Sequence, residues 1–441
     1  MSLENSLSNL GYLQSKTNFP AYGANHILKN EVLQGRSMSA WESTTQDAGS
    51  DVNWRENLSA EVGDLSSWSA PIRHLARKVA NGERLTLEDG LLLYSHPNLT
   101  EVGRLSNCVR VSRFGSYAFF NSNVHVNQTN VCVLACKFCA FRRSKRSKDA
   151  YALDLEGYLE DLSQYADFVD EVHSVGGLHP DWSVEHYESL FRESKLRFPH
   201  IAIKALTAVE IKHLSKLSGL TYTETLSRLK SAGLGSLPGG GAEILDDDVR
   251  AVICNGKESS SEYLEIHRCA HELGIPTNCT MLFGTIETIE QRLMHMIQLR
   301  ELNDDTNGFQ CFVPYPFLPD DSRLPEAQLA TGSEILRTIA ISRLMLDSIP
   351  HIKAYRMNIG DELAELALQF GADDIDGTVQ KESIMHLAGS TTPLDHDRIR
   401  LSRLIKDAGC IPVQRNTTYE RFEIFVPPEP KRRRKLKMAN S

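Results

Sequence analysis

The chain has 441 residues, 48 Lys+Arg against 57 Asp+Glu, a formal net charge of −9, and 41% apolar and 24% charged residues. That globular composition excludes a disordered or fibrous protein, and the net acidity argues against a general nucleic-acid binder, which neutralises phosphates with a basic face. No window approaches the ~20 apolar residues that cross a bilayer, the start MSLENSLSNLGYLQSK lacks a signal-peptide pattern, and nine cysteines are too few for a disulfide scaffold, so the chain reads as soluble, cytoplasmic and reduced.

Residues 1–68 read as a polar N-terminal extension rich in Ser, Asn, Gly and Thr, although Trp41, Trp54 and Trp68 fall in it and aromatics of that size pack against something. Residues 69–117 read as a helical preface, with PIRHLARKVANG from Pro71 and then Thr86 as N-cap of LEDGLLLYSH. From 118 to 426 short β-rich runs alternate with amphipathic helical runs. The strands are AFFNSNVHVN, DEVHSVGG, IAIKALT, the stretch around LGSLPGGGAEI, PTNCTMLFG, GFQCFVPY and HIKAYRMN. This is the pattern of an α/β fold with a TIM-type barrel, full or partial, whose chemistry belongs in the loops at the C-terminal ends of the strands. Residues 427–441 form a basic tail with six Lys/Arg between Lys431 and Lys437, whose removal leaves −9 − 6 = −15. It reads either as a contact to RNA, DNA or anionic lipid or as a solvated charge run, and it is expected to be dispensable for chemistry.

The segment NVHVNQTNVCVLACKFCAFRR places Cys132, Cys136 and Cys139 in one short loop directly after a strand. Three thiolates can hold three corners of a cubic 4Fe-4S cluster and leave the fourth iron open to an amino-carboxylate ligand. A zinc site completed by His125, or three merely buried cysteines, are the other readings. Cys108, Cys254, Cys269, Cys279, Cys311 and Cys410 are isolated and read as structural.

This spacing, with Phe138 before the last cysteine, resembles the radical S-adenosylmethionine enzymes. From NGERLTLEDG through the cysteine loop, VGGLHPDWS, IKALTAVEI, SLPGGGAEI and TMLFGTIET to HIKAYRMNIG and FGADDIDGT, the chain resembles the aminofutalosine synthases of the futalosine route to menaquinone. The resemblance implies a TIM-like barrel with a 4Fe-4S cluster at its mouth and S-adenosylmethionine consumed as co-substrate. It implies a radical transferase that forms a carbon–carbon bond between the 5′-deoxyadenosyl group and a small-molecule aryl enol ether dicarboxylate. An external low-potential electron donor such as flavodoxin or ferredoxin is implied as well, with no membrane span and no nucleic-acid partner.

Gly176 and Gly177 stand where the superfamily often carries Gly-Gly-Glu to meet the methionine amino group; the third residue here is Leu178, so backbone carbonyls would have to accept, unless the pair is a plain turn. Gly239, Gly240 and Gly241 permit close approach to adenosine, and Glu243 would bind ribose hydroxyls; a simple helix entry is the alternative. Glu210 is either a polar contact to the nucleoside or the first turn of an exposed helix. Glu287, in the Ile-Glu pair after TMLFG, joins the cofactor-binding set by resemblance. His179 is a candidate catalytic residue; His125 and Asn127 are further candidates for the barrel mouth. Two substrate carboxylates call for cations, and Lys204, Lys353 and Arg356 sit on or beside candidate strands, facing inward to meet an anion or outward as surface charges.

Three places depart from the family: Thr285 where His is usual, the loop VPYPFLPDD, and Arg356 where an aromatic residue is usual. They bear on the substrate more than on the radical machinery. The competing expectations are cyclic dehypoxanthine futalosine synthase, a subunit making the deazaflavin chromophore, and, from a different class, a non-catalytic metal- or nucleic-acid-binding protein.

Overall fold

The computed structural model describes residues 47–428; Trp41, most of the expected extension and the basic tail from Lys431 lie outside the described residues. Helices α1 (Trp54–Val62), α2 (Ala70–Ala80), α3 (Leu87–Ser95) and α4 (Leu99–Phe114) precede the first strand. Thr86 and Asp89 cap α3 reciprocally, each side chain accepting from the other's amide. Residues 54–68, expected in the polar extension, belong instead to this helical layer. Trp54, Leu58 and Val62 recur every four residues on the buried face of α1, and the Arg113 guanidinium covers the Trp54 ring at 3.8 Å. Trp68 is buried too, its indole N–H donating to the Val62 carbonyl at 3.2 Å. A helix with only three apolar anchors among polar residues leaves little trace in composition.

The body then runs β1 (Tyr117–Asn121), β2 (Asn123–His125), α5 (Leu155–Ser163), β3 (Glu171–Ser174), α6 (Val184–Arg197), β4 (Ala202–Ala205), α7 (Ala208–Ser218), α8 (Tyr222–Ala232), β5 (Leu234–Ser236), α9 (Asp247–Ile253), α10 (Ser260–Glu272) and β6 (Thr277–Phe283). It continues with α11 (Ile289–Thr306), β7 (Phe309–Pro316), α12 (Gly332–Met345), β8 (His351–Ile352), α13 (Arg356–Ile359), α14 (Asp361–Ala367), β9 (Asp374–Gly377), α15 (Ile384–Leu387), α16 (Arg398–Asp407), β10 (Ile411–Arg415) and β11 (Phe422–Ile424). The expected strand HIKAYRMN is therefore a strand only at its start; after the Lys353–Asp374 bridge the chain turns into α13.

β2 to β5 pair in order, in parallel, as do β6 to β8. Single parallel bridges, Leu237–Thr277 and Lys353–Asp374, join β5 to β6 and β8 to β9. The ring returns to β2 at Asn123, whose amide and carbonyl bond the Thr378 hydroxyl and whose side-chain oxygen accepts from Val379 N at 2.9 Å. β1 pairs in parallel with β9, through Phe119–Asp374 and Asn121–Gly377, and on its other side with β10, which antiparallel β11 follows. Strand phase is now fixed. Val124, Val172, Ile203 and Leu234 are register partners packed in the main core, while the next row, His125, His173, Lys204 and Ser236, turns to the barrel interior.

Below the barrel the buried Asp373 carboxylate binds Arg343 of α12 and His351 of β8, and accepts from Ile352 N at 2.9 Å. Arg343 also donates to the Gly371 and Pro350 carbonyls at 2.9 and 2.7 Å. Removing the carboxylate leaves a buried guanidinium without its counter-charge, so Asp373→Ala is expected to lose about 3–5 kcal/mol of stability, measured by urea denaturation.

Candidate active site

A cavity of about 290 Å³ opens at the C-terminal ends of the barrel strands. The loop after β2 gives it Cys132, Cys136 and Cys139; the loop after β3 gives Gly176 and Gly177; Glu210 comes from the start of α7. The loop after β5 contributes Gly240, Gly241 and Glu243, and the opposite wall is Tyr315, Phe317, Tyr355 and Glu382. This is the end of a barrel where loops can vary without loss of the core.

In the cysteine loop Val133, Ala135 and Lys137 are exposed while Cys132, Leu134 and Cys136 line the cavity, so the wall between thiols and solvent is one residue thick. Its backbone is pinned on both sides. Gly177 N donates to Thr129 O at 2.8 Å, Val133 N to Leu178 O at 3.0 Å and Cys132 N to Arg143 O at 3.0 Å. Arg142 Nε donates to Leu134 O at 2.9 Å, and Arg323 Nη2 to Ala135 O and Cys136 O at 2.8 and 3.1 Å. A Cβ at residue 177 would stand 2.3 Å from Val131 O, and one at 176 would stand 2.9 Å from Thr129 O. The glycine pair is therefore required by the approach of two backbones, whatever else it binds.

Burial pushes the Cys136 thiol up to about 12 and raises Cys139 as well, so the thiolates form when a metal charge compensates them. Among the described residues no three His, Cys, Asp or Glu side chains converge as they would on a single ion, His125 included. A cubic cluster instead spreads its thiolates over separate irons, and three thiols facing one cavity fit that donor set. The remaining six cysteines are free and buried.

Glu210 is a buried cap, not the start of an exposed helix. Its Oε2 accepts from Thr207 N and Oγ1 at 2.7 and 2.8 Å, and its Oε1 accepts from Gly176 N at 3.1 Å and Gln128 Nε2 at 3.2 Å. Burial outweighs these bonds and pushes the carboxyl up to about 7. Gly240 and Gly241 line the cavity, whereas Gly239 lies behind it: a Cβ there would meet Asn278 O at 2.2 Å, and its carbonyl accepts from Tyr263 Oη and Thr280 Oγ1 at 2.7 and 3.0 Å. Glu243 holds a left-handed φ of 45° and is ion-paired with Lys257, a cavity-lining cation absent from the sequence expectations. Nothing in NGKESS distinguishes Lys257 from a surface lysine; the pairing arises from the fold.

Lys204, His125 and His173 form part of one interior row, with the two imidazoles 4.3 Å apart and both lining the cavity. Burial lowers both histidines and His125 Nε2 is buried without a hydrogen-bond partner. The Lys204 ammonium, desolvated down to about 8, makes no ion pair or hydrogen bond among the described residues. Lys353 differs. Burial opposes its charge, but Asp376 at 2.6 Å and Asp374 at 3.7 Å hold it above its ordinary value.

Lys204 and Gly239, placed above, and Glu287, Arg356 and His179 are expected site residues that lie outside the cavity lining. Glu287 accepts from Gly284 N, Thr285 N, Thr285 Oγ1 and Arg292 Nε at 2.6–2.9 Å and closes the turn after β6, with Thr285 taken up in the same knot. Arg356 is fully buried against Asp361, Pro393 O and Thr378 O, each at 3.4 Å. His179 stacks on Trp182 with centroids 4.4 Å apart and accepts from Asp181 N at 3.3 Å. Asn127, also expected near the mouth, ties its strand to Val175 O at 2.9 Å. The divergent VPYPFLPDD loop does reach the cavity, through Tyr315 and Phe317, and Tyr315 meets Tyr355 edge-on at 5.3 Å.

Residues 126–299 match the Radical SAM superfamily and residues 306–427 the CofH/MqnC C-terminal region. Over 356 residues the chain is 44% identical to the aminodeoxyfutalosine synthase of Thermus thermophilus, a match covering 80% of this chain and 96% of that protein. The chain belongs to the aminodeoxyfutalosine synthase family of radical S-adenosylmethionine enzymes. The Streptomyces coelicolor member is 42% identical over 373 residues, covering 82% and 96% of the two chains, while the cyclic dehypoxanthine futalosine synthase of the same organism is 36% identical over 364, covering 81% and 91%. In solved structures the barrel is similar to methylornithine synthase, with a TM-score of 0.62 at 20% identity over 76% of this chain and 96% of that one. It is similar also to the FeFe-hydrogenase maturase HydG of Carboxydothermus hydrogenoformans, at 0.60 and 16% over 90% and 86%. As a member of the aminodeoxyfutalosine synthase family the chain takes a 4Fe-4S cluster and S-adenosylmethionine.

The close approach at residue 177 makes a sharp test of the cysteine loop. Gly177→Ala is expected to lower cluster iron to near the level of a Cys136→Ala variant, measured as iron bound per chain after anaerobic reconstitution, with the far-ultraviolet circular dichroism unchanged.

Proposed function

We propose that this chain joins the 5′-deoxyadenosyl group of S-adenosylmethionine to the enol-ether carbon of 3-((1-carboxyvinyl)oxy)benzoate, giving 6-amino-6-deoxyfutalosine with loss of the carboxyl group, a step of menaquinone biosynthesis. The observation that carries this reading is the match of 44% and 42% to two aminodeoxyfutalosine synthases over 96% of their lengths, against 36% and 32% for two cyclic dehypoxanthine futalosine synthases. The cysteine cavity and its aromatic wall support it. The reaction is that of the cytoplasm, with flavodoxin or ferredoxin as the external donor.

Cys132, Cys136 and Cys139 would hold the cluster, which supplies when bound the electron that cleaves S-adenosylmethionine to methionine and the 5′-deoxyadenosyl radical. The Gly176 amide is already engaged by Glu210, so its carbonyl is the group left for the methionine end. Gly240 and Gly241 let the backbone approach the adenosine. Glu243, held by Lys257, offers its second carboxylate oxygen to the ribose hydroxyls. Tyr315, Phe317 and Tyr355 provide ring faces and edges for the aryl group, and the enclosed wall keeps water from the reacting carbons.

For a substrate carboxylate Lys204 is the favoured partner of the three cations expected from sequence. Lys353 and Arg356 are paired with Asp376 and Asp361, whereas Lys204 makes no direct ion pair among the described residues, Glu171 acting on it only at longer range, and its desolvated ammonium gains most from an added anion. The row of His125 and His173 leads from it to the cavity.

Reduced, reconstituted enzyme given S-adenosylmethionine and the enol ether is expected to form aminodeoxyfutalosine by mass spectrometry. Free 5′-deoxyadenosine with the enol ether intact, from an enzyme active on dehypoxanthine futalosine, would assign it to the other synthase. Lys204→Met is expected to raise KM for the enol ether by roughly tenfold to a hundredfold, as for a lost charged hydrogen bond, and to leave KM for S-adenosylmethionine unchanged in steady-state kinetics.

A further inference from the structure

The outer face of the cysteine loop carries charge that the cavity does not use. Residues 132–148 contain six Lys and Arg and no Asp or Glu, in a chain of net charge −9. Lys137, Arg146 and Lys148 are exposed and make no ion pair among the described residues. Lys145 pairs with Asp181 at 2.5 Å, but both side chains are 62% exposed, and a pair so open to water is worth little against a competing partner. Arg323, also exposed, lies over the loop carbonyls of Ala135 and Cys136. Among these charges sits Val133, 51% exposed, directly between Cys132 and the loop's next cavity-lining residue. An apolar centre with a charged rim is the anatomy of a small protein interface.

We propose that this face, centred on Val133 and rimmed by Lys137, Lys145, Arg146, Lys148 and Arg323, docks an acidic one-electron carrier protein. The inference rests on the reading of the cavity as a reducible radical site. One electron leaves the carrier, which is oxidised by one unit, and passes the one-residue wall to the site, which is reduced by one; no covalent bond changes in the transfer. Opposite charge steers such encounters and speeds them, and redox partners meet through small, short-lived contacts in which rim charges dominate. The charges belong to the loop that carries the thiols and to Arg323, which is bonded to that loop's carbonyls, and this suits a carrier that must bring its own redox centre close. A long polyanion or a lipid surface has no need of that position.

The test uses holoenzyme and the charge-reversed variant Lys137→Glu/Arg146→Glu/Lys148→Glu, none of whose positions lines the cavity. Oxidised flavodoxin is titrated into each at low and at physiological salt, and reduction by flavodoxin hydroquinone is followed by stopped flow. Wild type is expected to bind more weakly as salt rises; the variant is expected to bind at least about tenfold more weakly at low salt and to be reduced correspondingly slowly. Reduction by dithionite should be equal in the two proteins, and Lys137→Arg/Lys148→Arg should behave as wild type. Equal binding and equal reduction by flavodoxin in wild type and variant would overturn the docking face, as would reversal that weakens binding only to heparin or phosphatidylglycerol vesicles. Failure of both proteins to be reduced by dithionite would instead overturn the reading of the cavity on which the inference rests.

Discussion

There is no space for a side chain at residue 177. The backbone after β3 passes so near the backbone before Cys132 that even a methyl group would strike the Val131 carbonyl. On that contact depends the position of three thiols, since Gly177 N and Leu178 O are the rungs that tie the cysteine loop to the barrel. Glu210 secures the same junction from the other side, capping α7 while holding the Gly176 amide. A turn, a helix cap and the cysteine loop are thus one mechanical unit. The Leu that replaces the usual acid after Gly-Gly is compatible with this arrangement because it is the Leu178 backbone, not its side chain, that takes part.

The barrel interior is organised by charge in layers. Low down, Asp374 joins Arg415, Tyr419 and Lys353, and Asp376 takes Lys353 as well. Every cation there has an acid. One row across, Lys204 has only the longer-range pull of Glu171, and beside it lie two imidazoles that burial holds below their ordinary pKa and an unpartnered Ser236 hydroxyl. Because unpaired charge in a desolvated place is costly, the fold sets its internal acids directly against the other cations and leaves Lys204, behind the cavity lining, without a direct ion pair.

Much of this was legible in sequence, for identifiable reasons. The β/α alternation sets the barrel, and a Cys spacing of three and two residues sets the loop, since both are local patterns with a fixed period. What failed was what depends on side-chain direction or on contacts far apart in the chain. Glu287 looks like a ligand but is the knot of its own turn. Arg356 follows a strand-like run, yet that run bends at Tyr355 and carries it away from the cavity. Lys257 and Glu382 reach the cavity from segments with no motif at all. Residues 54–68 look like part of a polar arm in sequence because a helix buried through three anchors is polar on average. Inward and outward positions on β4 were undecidable until register with β3 fixed the phase.

The return of the ring to Asn123 joins residues 255 and 256 positions apart. At a synthesis rate of roughly 5–20 residues per second, β2 leaves the ribosome roughly 13–50 s before its last neighbour exists. β1 waits longer still for β10. During that interval the strands β2 to β5, and then β6 to β8, can pair only among themselves, so the barrel is assembled as an open arc that already includes the cysteine loop and its glycine clasp. The cysteine loop is therefore in place while the vessel around it is still missing its far wall, which the final strands alone can close.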